Sequence, residues 1–274
     1  MCTALFVLTS EKDSNGAQRV KLVVAHNRDE HFTRATARCE WWAAPNTTLF
    51  APRDLQGGGT WFGIRKSSGV VRAAFLTNIR HLPVVHGKQS RGAVIKDFLA
   101  SDCSTESYLK ELTATGHHYP GFNVVVFDGT SLGHFCNFAH GEYVTESSIL
   151  DPNVVYGMSN GPFASPWPKV VAGKEAMAAV LEQPGQDMEL CRRLIPIMGN
   201  TTRIESAKLL PKTGFPEAME FKLSSLFVEP VEPYPSYGTR TTLAMVLDTD
   251  GQCSIVEKDL EYPSGEWSTR EYAL

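Results

Sequence analysis

Short apolar runs separated by polar turns dominate the first part of the chain, a pattern typical of β-strands. Residues 3–9 and 19–26 are apolar and rich in β-forming side chains, and the polar residues 11–16 between them are typical of a turn. The pattern predicts an antiparallel hairpin at the start of the chain. It also predicts strands at 61–65 and 69–77.

Apolar residues recur at a spacing near 3.6 in four later segments, which predicts helices. The first pair covers 91–99 and 104–112, with Ser104 or Thr105 as the N-cap of the second helix. The second pair covers 167–182 and 187–198.

Strand patterns return between and after these helices, at 121–128, 133–138, 142–146, 240–248 and 252–258, the last two forming a hairpin. Strands, helices, strands, helices and strands in this order predict an α+β fold of antiparallel sheets covered by helices. We expect residues 1–274 to form a single domain.

The Pro-rich and aromatic segment 211–239 has no clear periodicity. We interpret it as a long ordered loop covering a cleft, since long loops in compact domains are often functional.

Composition narrows the functional classes. Hydrophobic residues make up 42% of the chain and the net charge is −4, without a basic block, so we expect a soluble protein that does not bind nucleic acid. No apolar run approaches the ~18 residues that span a bilayer. The six cysteines are scattered without a C-x-x-C pair, which disfavours a zinc or redox site and favours reduced thiols in the cytoplasm.

Cys2 is the first candidate for chemistry. Removal of Met1 would make it the N-terminal residue, with a thiol pKa of about 8.5 beside an α-amine pKa of about 7.7–8.0. The amine could then accept the thiol proton and activate the nucleophile. A small residue at position 2 that occurs by chance is the alternative.

The run of residues 27–30 follows the second predicted strand. In a hairpin, this run lies close to Cys2, where Arg28 could lower the pKa of the thiol and Asp29 could orient the amine. A solvated turn is the alternative reading of four consecutive polar residues.

Other polar clusters lie at the ends or at the starts of predicted strands. The glycine-rich segment 57–63 lacks the Lys and the Ser or Thr of a P-loop. Its glycines favour close approach of the backbone to a ligand or to another strand. Asn78 and Asn160 end strands and could stabilise an oxyanion or cap a turn. Arg240 could bind a carboxylate or phosphate, or pair with a surface acid.

Taken together, these clusters resemble the transport-and-Golgi-organisation family, also called the NRDE family. The resemblance rests on an ordered set of short motifs: Met1-Cys2, Asn27-Arg28-Asp29-Glu30, Gly58-Gly59-Thr60-Trp61-Phe62-Gly63, Thr77-Asn78, Arg91-Gly92, Ser159-Asn160, Pro166-Trp167 with Lys169, and Tyr237-Gly238-Thr239-Arg240. It implies a four-layer αββα sandwich like that of N-terminal-nucleophile hydrolases. It also implies a role in the secretory pathway and Golgi organisation, with haem trafficking or acyl-CoA and lipid handling in some relatives, and cytosolic, Golgi or mitochondrial association.

More distantly, the layout is similar to choloylglycine-type amidases. That similarity implies catalytic roles for Cys2, Arg28, Asp29, Asn78, Asn160 and Arg240. We further predict ligand contacts from Asn27, Glu30, Gly58, Gly59, Thr60, Trp61, Arg91, Trp167 and Tyr237. In those amidases the Arg and Asp are separated, whereas Arg28 and Asp29 are adjacent. Neighbours on an extended strand point to opposite faces, so both can face Cys2 only if the strand bends.

Three functional hypotheses follow. The first is a carrier whose cleft around Cys2 binds haem, with Cys2 as an axial ligand, or an acyl thioester. The second is a hydrolase in which Cys2 attacks an amide or thioester, with Asn78 or Asn160 stabilising the oxyanion. The third is a partner-binding protein without enzymatic activity. In each case we expect no required cofactor and no metal site; haem would be cargo, and any contact with organelle membranes would be peripheral.

Overall fold

A computed structural model describes residues 2–12, 18–44, 48–67, 69–82, 87–139, 141–183, 185, 187–230, 232 and 235–274. Residues 13–16 of the predicted first turn, and Met1, lie outside these ranges.

The described strands are β1 (Cys2–Lys12), β2 (Gln18–His31), β3 (Thr36–Trp41), β4 (Leu49–Asp54), β5 (Phe62–Ser67), β6 (Val70–Asn78), β7 (Phe122–Phe127), β8 (Leu132–Ala139), β9 (Glu142–Ile149), β10 (Tyr156–Met158), β11 (Tyr237–Leu247), β12 (Cys253–Glu261) and β13 (Glu266–Ala273). The described α-helices are α1 (Gly92–Ala100), α2 (Thr105–Thr115), α3 (Pro168–Leu181), α4 (Asp187–Met198) and α5 (Glu217–Lys222).

The chain forms two compact units that interleave along the sequence. Unit 1 comprises residues 1–33, 152–159 and 165–274, and unit 2 comprises 34–151 and 160–164. Each unit contains one antiparallel sheet.

Unit 1 is built on a sheet in the order β10-β1-β2-β11-β12-β13. Alternate residues of its strands, such as Leu5, Val23 and Ala244, form one apolar face. Leu194 and Met198 of α4 belong to the same core, as do residues of α3. Burial of these side chains on one face of the sheet stabilises the unit, at roughly 25 cal/mol per Å² of apolar surface.

Unit 2 is built on a sheet in the order β3-β4-β5-β6-β7-β8-β9. Its core joins α1 and α2 to the sheet through residues such as Phe98, Leu109, Val124 and Phe135. Ser104 is the N-cap of α2, as predicted, because its side chain accepts a hydrogen bond from the Ser107 backbone amide.

The predicted α+β class of antiparallel sheets covered by helices is confirmed. The first hairpin is confirmed too, but its second strand does not end at residue 26: β2 continues to His31. The polar residues 27–30 are paired strand residues and not a solvated turn.

Other boundaries also differ from the predictions. Strands β3, β4, β10 and β13 were not predicted, since short or half-exposed strands carry a weak apolar alternation. The segment 211–239 contains the short helix α5, and its last residues belong to β11. It is therefore not a continuous loop.

None of the helices in the described residues is long and apolar enough to cross a bilayer; α3, for example, has 14 residues.

Candidate functional site

Three neighbouring strands of unit 1 bring the strongest candidates to one end of the sheet. Cys2 at the start of β1 is paired directly with Arg28 on β2. Strand β11 lies on the other side of β2, and the register between them shifts between Thr239 and Thr241, so that Arg240 is an extra residue in a β-bulge. The proximity of Cys2 to Arg28 that the hairpin predicted is therefore present.

Cys2 is almost completely buried, with 3% of its surface exposed. Its backbone carbonyl accepts a hydrogen bond of 3.1 Å from the Ser159 hydroxyl, which lies 2.9 Å from the Thr3 hydroxyl. Burial raises the pKa of the Cys2 thiol, while among the neighbouring side chains Arg28 lowers it and Asp29 and Glu30 raise it. The thiol is therefore protonated at neutral pH unless a base removes its proton.

The alternation of strand β2 divides residues 27–30 between two faces. Arg28 lies on the same face as Cys2, because directly opposed residues of an antiparallel pair project from the same face. Arg28 is 4% exposed, and its Nη2 atom lies 3.9 Å from Oε2 of Glu30, two residues along the same strand. We name this side of the unit 1 sheet the Cys2 face.

Asn27 lies on the opposite side, which we name the helix face because α3 and α4 pack there. Its Nδ2 atom donates hydrogen bonds to the carbonyls of Met198, at 2.8 Å, and Leu226, at 3.0 Å. Its Oδ1 atom accepts a hydrogen bond of 2.7 Å from Thr242. Asn27 therefore ties β2 to the end of α4 and to the segment after α5.

Asp29 follows the same alternation onto the helix face. Its Oδ1 atom accepts a hydrogen bond of 2.6 Å from the Thr239 hydroxyl, which in turn accepts one of 2.8 Å from the Val228 amide. The regular pairing of β2 therefore projects Arg28 and Asp29 from opposite faces. The charge of Asp29 nevertheless raises the pKa of the Cys2 thiol, with a larger effect than that of Arg28, and its predicted role toward the α-amine stays a prediction.

Because Arg240 is the extra residue of the bulge in β11, Thr239 is the residue paired with Asp29. Gly238 precedes Thr239, and a Cβ atom there would lie 2.6 Å from the Val228 carbonyl oxygen, so the close approach requires glycine. Arg240 donates a hydrogen bond of 3.3 Å from Nη1 to the Phe32 carbonyl. The Tyr237 hydroxyl donates one of 3.4 Å to the Asp29 carbonyl.

The candidates from the glycine-rich motif lie in unit 2, where contacts within the fold account for them. A Cβ atom on Gly59 would lie 2.7 Å from the backbone of Gly92, so the two backbones meet where α1 begins. Gly58 has a φ of 69°, which favours glycine. The Thr60 hydroxyl donates to the Phe62 carbonyl at 2.6 Å, and Arg91 Nη1 donates to the Gly121 carbonyl at 3.1 Å. Their predicted ligand contacts stay predictions, as does that of the buried Trp61.

Asn78 and Asn160 also lie together in unit 2. The Asn160 side chain donates a hydrogen bond of 2.7 Å from Nδ2 to the Asn78 carbonyl, and its own carbonyl accepts one of 2.8 Å from the Arg80 amide. The side chain of Asn160 therefore holds the end of β6, and a role toward an oxyanion is untested by this geometry.

A buried polar network that the sequence analysis missed contacts the chain neighbours of these two residues, Thr77 and Gly161. Asn123 donates from Nδ2 to the Gly161 carbonyl at 2.9 Å and to the Thr77 hydroxyl at 3.3 Å. His134 lies 3.2 Å from Oδ1 of Asn123 and stacks on Phe163. Burial lowers the pKa of His134 to about 3, so the imidazole is neutral. Single polar residues within apolar strands were the only sequence signal.

Trp167 and Lys169 lie where α3 begins in unit 1. Trp167 is the N-cap residue of that helix and is half-buried. The buried ammonium of Lys169 donates hydrogen bonds to the carbonyls of Leu223, at 3.2 Å, and Ser225, at 3.0 Å. Lys169 and Asn27 therefore both hold the segment 223–226 after α5. The sequence analysis did not predict this shared role.

Within the described ranges, no three His, Cys, Asp or Glu side chains converge as a metal ion would need. The six cysteines lie within the described ranges, and each is a free thiol.

Known proteins resemble the chain at two levels. The Transport and Golgi organisation 2 family model matches residues 1–262. The chain is 29% identical over 282 residues to the mouse Transport and Golgi organization 2 homolog, covering 99% of this chain and 98% of that protein. It is 28% identical to the Drosophila melanogaster Transport and Golgi organization protein 2, covering 98% of this chain and 96% of that protein.

Among solved structures, the Caenorhabditis elegans ortholog of N-acylethanolamine-hydrolyzing acid amidase resembles the fold. The TM-score is 0.50 at 12% identity, and the match covers 81% of this chain and 98% of that one. This likeness confirms the predicted N-terminal-nucleophile-hydrolase-like fold. Since the family model spans nearly the whole sequence, the chain belongs to the Transport and Golgi organisation 2 family.

Proposed function

We propose that the protein binds an acyl thioester of the acyl-CoA class with its acyl carbonyl at Cys2, and accepts the acyl group on Sγ. The observation that supports this proposal most directly is the pairing of Cys2 with Arg28 on the Cys2 face. Both side chains are almost completely buried. The family resemblance supports an acyl ligand, as does the acyl amide in the name of the structural neighbour, although that likeness is one of fold.

A purely structural role gives a poor account of this pair. Burial of a guanidinium has a desolvation cost that apolar side chains of similar size would avoid. Ionisable groups with perturbed pKa values beside a specific charge are typical of functional sites. Arg28 is well placed to stabilise a thiolate, or negative charge that develops beside it, as Cys2 reacts.

The chemical step balances without a cofactor. A base takes the proton from Sγ as Sγ attacks the acyl carbon, the bond from that carbon to the leaving thiol breaks, and the leaving thiolate receives the proton. The product is an acyl thioester on Cys2, which water can hydrolyse or a second acceptor can take over. The α-amine of Cys2 is the base we assign, and that role requires the removal of Met1.

Haem is the less well supported ligand. Iron binds a cysteine as its thiolate, and burial raises the pKa of the Cys2 thiol. An acyl ligand needs the thiolate only transiently, in a step that a neighbouring base assists. The predicted compartment, the cytoplasm with Golgi or mitochondrial association, stays a prediction.

Intact-mass spectrometry of the purified protein tests the proposal. Incubation with long-chain acyl-CoA is expected to add one acyl group, mapped to Cys2 by peptide analysis, on a chain that has lost Met1. Cys2→Ala is expected to abolish the adduct. Cys103→Ala is the matched control, because the half-exposed Cys103 in unit 2 is where non-specific acylation is expected.

The remaining outcomes each decide between the hypotheses. Calorimetry could show that acyl-CoA binds the wild-type protein but not Arg28→Met, while no adduct forms. That outcome would contradict the acyl-transfer step and support a carrier function. An adduct that persists in Cys2→Ala, or no binding of acyl-CoA at all, would overturn the proposal. A chain that retains Met1 but still forms the adduct would exclude the α-amine as the base.

A further inference from the structure

A row of directly opposed side chains crosses the unit 1 sheet from Cys2. Cys2 is paired with Arg28, Arg28 with Thr241, and Thr241 with Asp259 on β12. Opposed residues of antiparallel strands share a face, so all four lie on the Cys2 face. Asp259 is two strands from Arg28, roughly 10 Å between backbones, a span that an arginine side chain largely covers.

The far end of this row is an acid in a protected position. Asp259 is 7% exposed and Thr241 is 1% exposed. The Thr241 hydroxyl donates a hydrogen bond of 2.6 Å to Oδ1 of Asp259. A carboxylate so far removed from water needs donors or a positive charge to remain ionised, and the cation of this row is Arg28.

We propose that Asp259 is a positioning residue for Arg28, a carboxylate that is fixed by Thr241 and shares the guanidinium charge with the Cys2 thiol. Through this sharing, Asp259 adds to the effect of burial, which already keeps the thiol protonated at rest. Cys2 then reacts only when a base is in place, and is protected from oxidation while the site is empty. The inference adds Thr241 and Asp259 to the candidate site, and it extends the proposed function by naming what controls the nucleophile.

Other charged or titratable groups lie near this row in unit 1, including Arg270 on β13, which is paired with Glu257 on the Cys2 face. On the Cys2 face, Glu30 lies near Arg28, and Glu257 accepts a hydrogen bond of 2.9 Å from the Tyr272 hydroxyl, one row away from Asp259. His26 lies in that same neighbouring row. Arg240 contacts the Phe32 carbonyl, and Asp29 lies on the helix face, from which its charge raises the pKa of the Cys2 thiol.

Carbon NMR of protein labelled at cysteine Cβ tests the inference, because the Cβ shift reports ionisation of a thiol whether or not reagents reach it. Cys2→Ser identifies the Cys2 signal. In Asp259→Asn, which keeps an acceptor for Thr241, the pKa of Cys2 is expected to fall by about one unit, since Arg28 then acts on the thiol alone. An unchanged or raised pKa would overturn the inference.

Two further variants make the result specific. Glu257→Gln removes a buried carboxylate from the same strand and face, and less than half of the Asp259→Asn shift is expected there. Equal shifts would show a general effect of charge and contradict a role through Arg28. In an Arg28→Met background, Asp259→Asn is expected to change the pKa of Cys2 little. Asp259→Ser removes the same charge and replaces Asp259→Asn if that variant does not fold.

The inference rests on the proposed function only for its catalytic consequence. With acyl-CoA at pH 7, Asp259→Asn is expected to form the Cys2 adduct up to about tenfold faster, the equivalent of one pKa unit. Absence of any adduct in the wild-type protein would overturn the proposed acyl transfer to Cys2 but leave the NMR result intact. A Cys2 pKa that does not respond to Asp259→Asn would overturn the inference whatever the adduct does.

Discussion

The two faces of strand β2 carry polar side chains of the same short run with different surroundings. On the helix face, Asn27 and Asp29 hydrogen-bond to backbone or to threonines that contact backbone. On the Cys2 face, Arg28 and Glu30 surround a buried thiol whose pKa they lower and raise, respectively. Asn27 and Asp29 therefore anchor the strand, and Arg28 and Glu30 form a charge cluster, while the charge of Asp29 also raises the pKa of the thiol. We expect substitutions on the two faces to have different effects.

The largest expected effect is on the helix face. Asn27→Ala removes both of its donor contacts and leaves the carbonyls of Met198 and Leu226 buried without them, so we expect a loss of about 3 kcal/mol in the free energy of unfolding. Urea denaturation measures it. Thr242→Val, which removes only the hydrogen bond to Asn27 Oδ1, is expected to cost about 1 kcal/mol. An Asn27→Ala protein as stable as the wild type would contradict the anchoring role.

His134 in unit 2 provides a reference, because burial is the cause of its pKa shift. Its folded-state pKa of about 3 lies below its ordinary value near 6.5, so the unfolded chain binds a proton at pH 5 and the folded one does not. Its contribution to stability is complete above pH 6.5 and is lost as the pH falls toward 3, by about 2 kcal/mol at pH 5.

Urea midpoints at pH 7 and pH 5 test this reference. His134→Gln, which retains a side chain able to contact Asn123, is expected to remove that part of the pH dependence. An unchanged difference between the two midpoints would mean that other groups cause the acid sensitivity.

Arg28→Met is expected to separate chemistry from stability on the Cys2 face. Loss of the cation raises the pKa of Cys2 further, by about one unit, because Arg28 lowers it in the wild type. Removal of a buried charge by an apolar side chain of similar length leaves the free energy of unfolding within about 1 kcal/mol. Arg28→Lys, which keeps the charge, is the control in the same NMR titration. A large loss of stability with no pKa change would place Arg28 with the anchors.

Glu30→Gln should give the smallest effect. Glu30 raises the pKa of Cys2, so its neutral counterpart is expected to lower that pKa by a few tenths of a unit. Its ion pair with Arg28 is long and partly exposed, so the free energy of unfolding should change by less than about 0.5 kcal/mol. A shift larger than that of Arg28→Met would reverse the proposed order of influence on the thiol.

Local sequence patterns predicted much of the fold correctly. The apolar periodicity located the first hairpin and four of the helices, and Ser104 was identified as a cap because capping depends on residues within one turn. The hairpin also placed Arg28 near Cys2. These predictions succeeded because the interacting groups are close in sequence or related by one short turn.

The surroundings of the polar residues were less predictable. Residues 27–30 have the composition of a solvated turn, yet Asn27 is fully buried, with carbonyl partners 171 and 199 residues further along the chain. Close backbone approach was predicted for the glycines of 57–63, and Gly59 makes such an approach, but the sequence did not identify Gly92 as its partner. No local pattern identifies a partner at that separation.

By itself, the sequence determined the α+β class, the hairpin that opens with Cys2 and the family resemblance, because strand period, turn residues and motif order are local properties. Only the tertiary structure decided that Asn27 and Asp29 are anchors, that Arg28 shares a face with Cys2, and that Asp259 ends the same row. The physical reason is that the face of a strand follows from alternation and register. Register depends on which strands pair along their length, and between β2 and β11 it shifts at the bulge formed by Arg240.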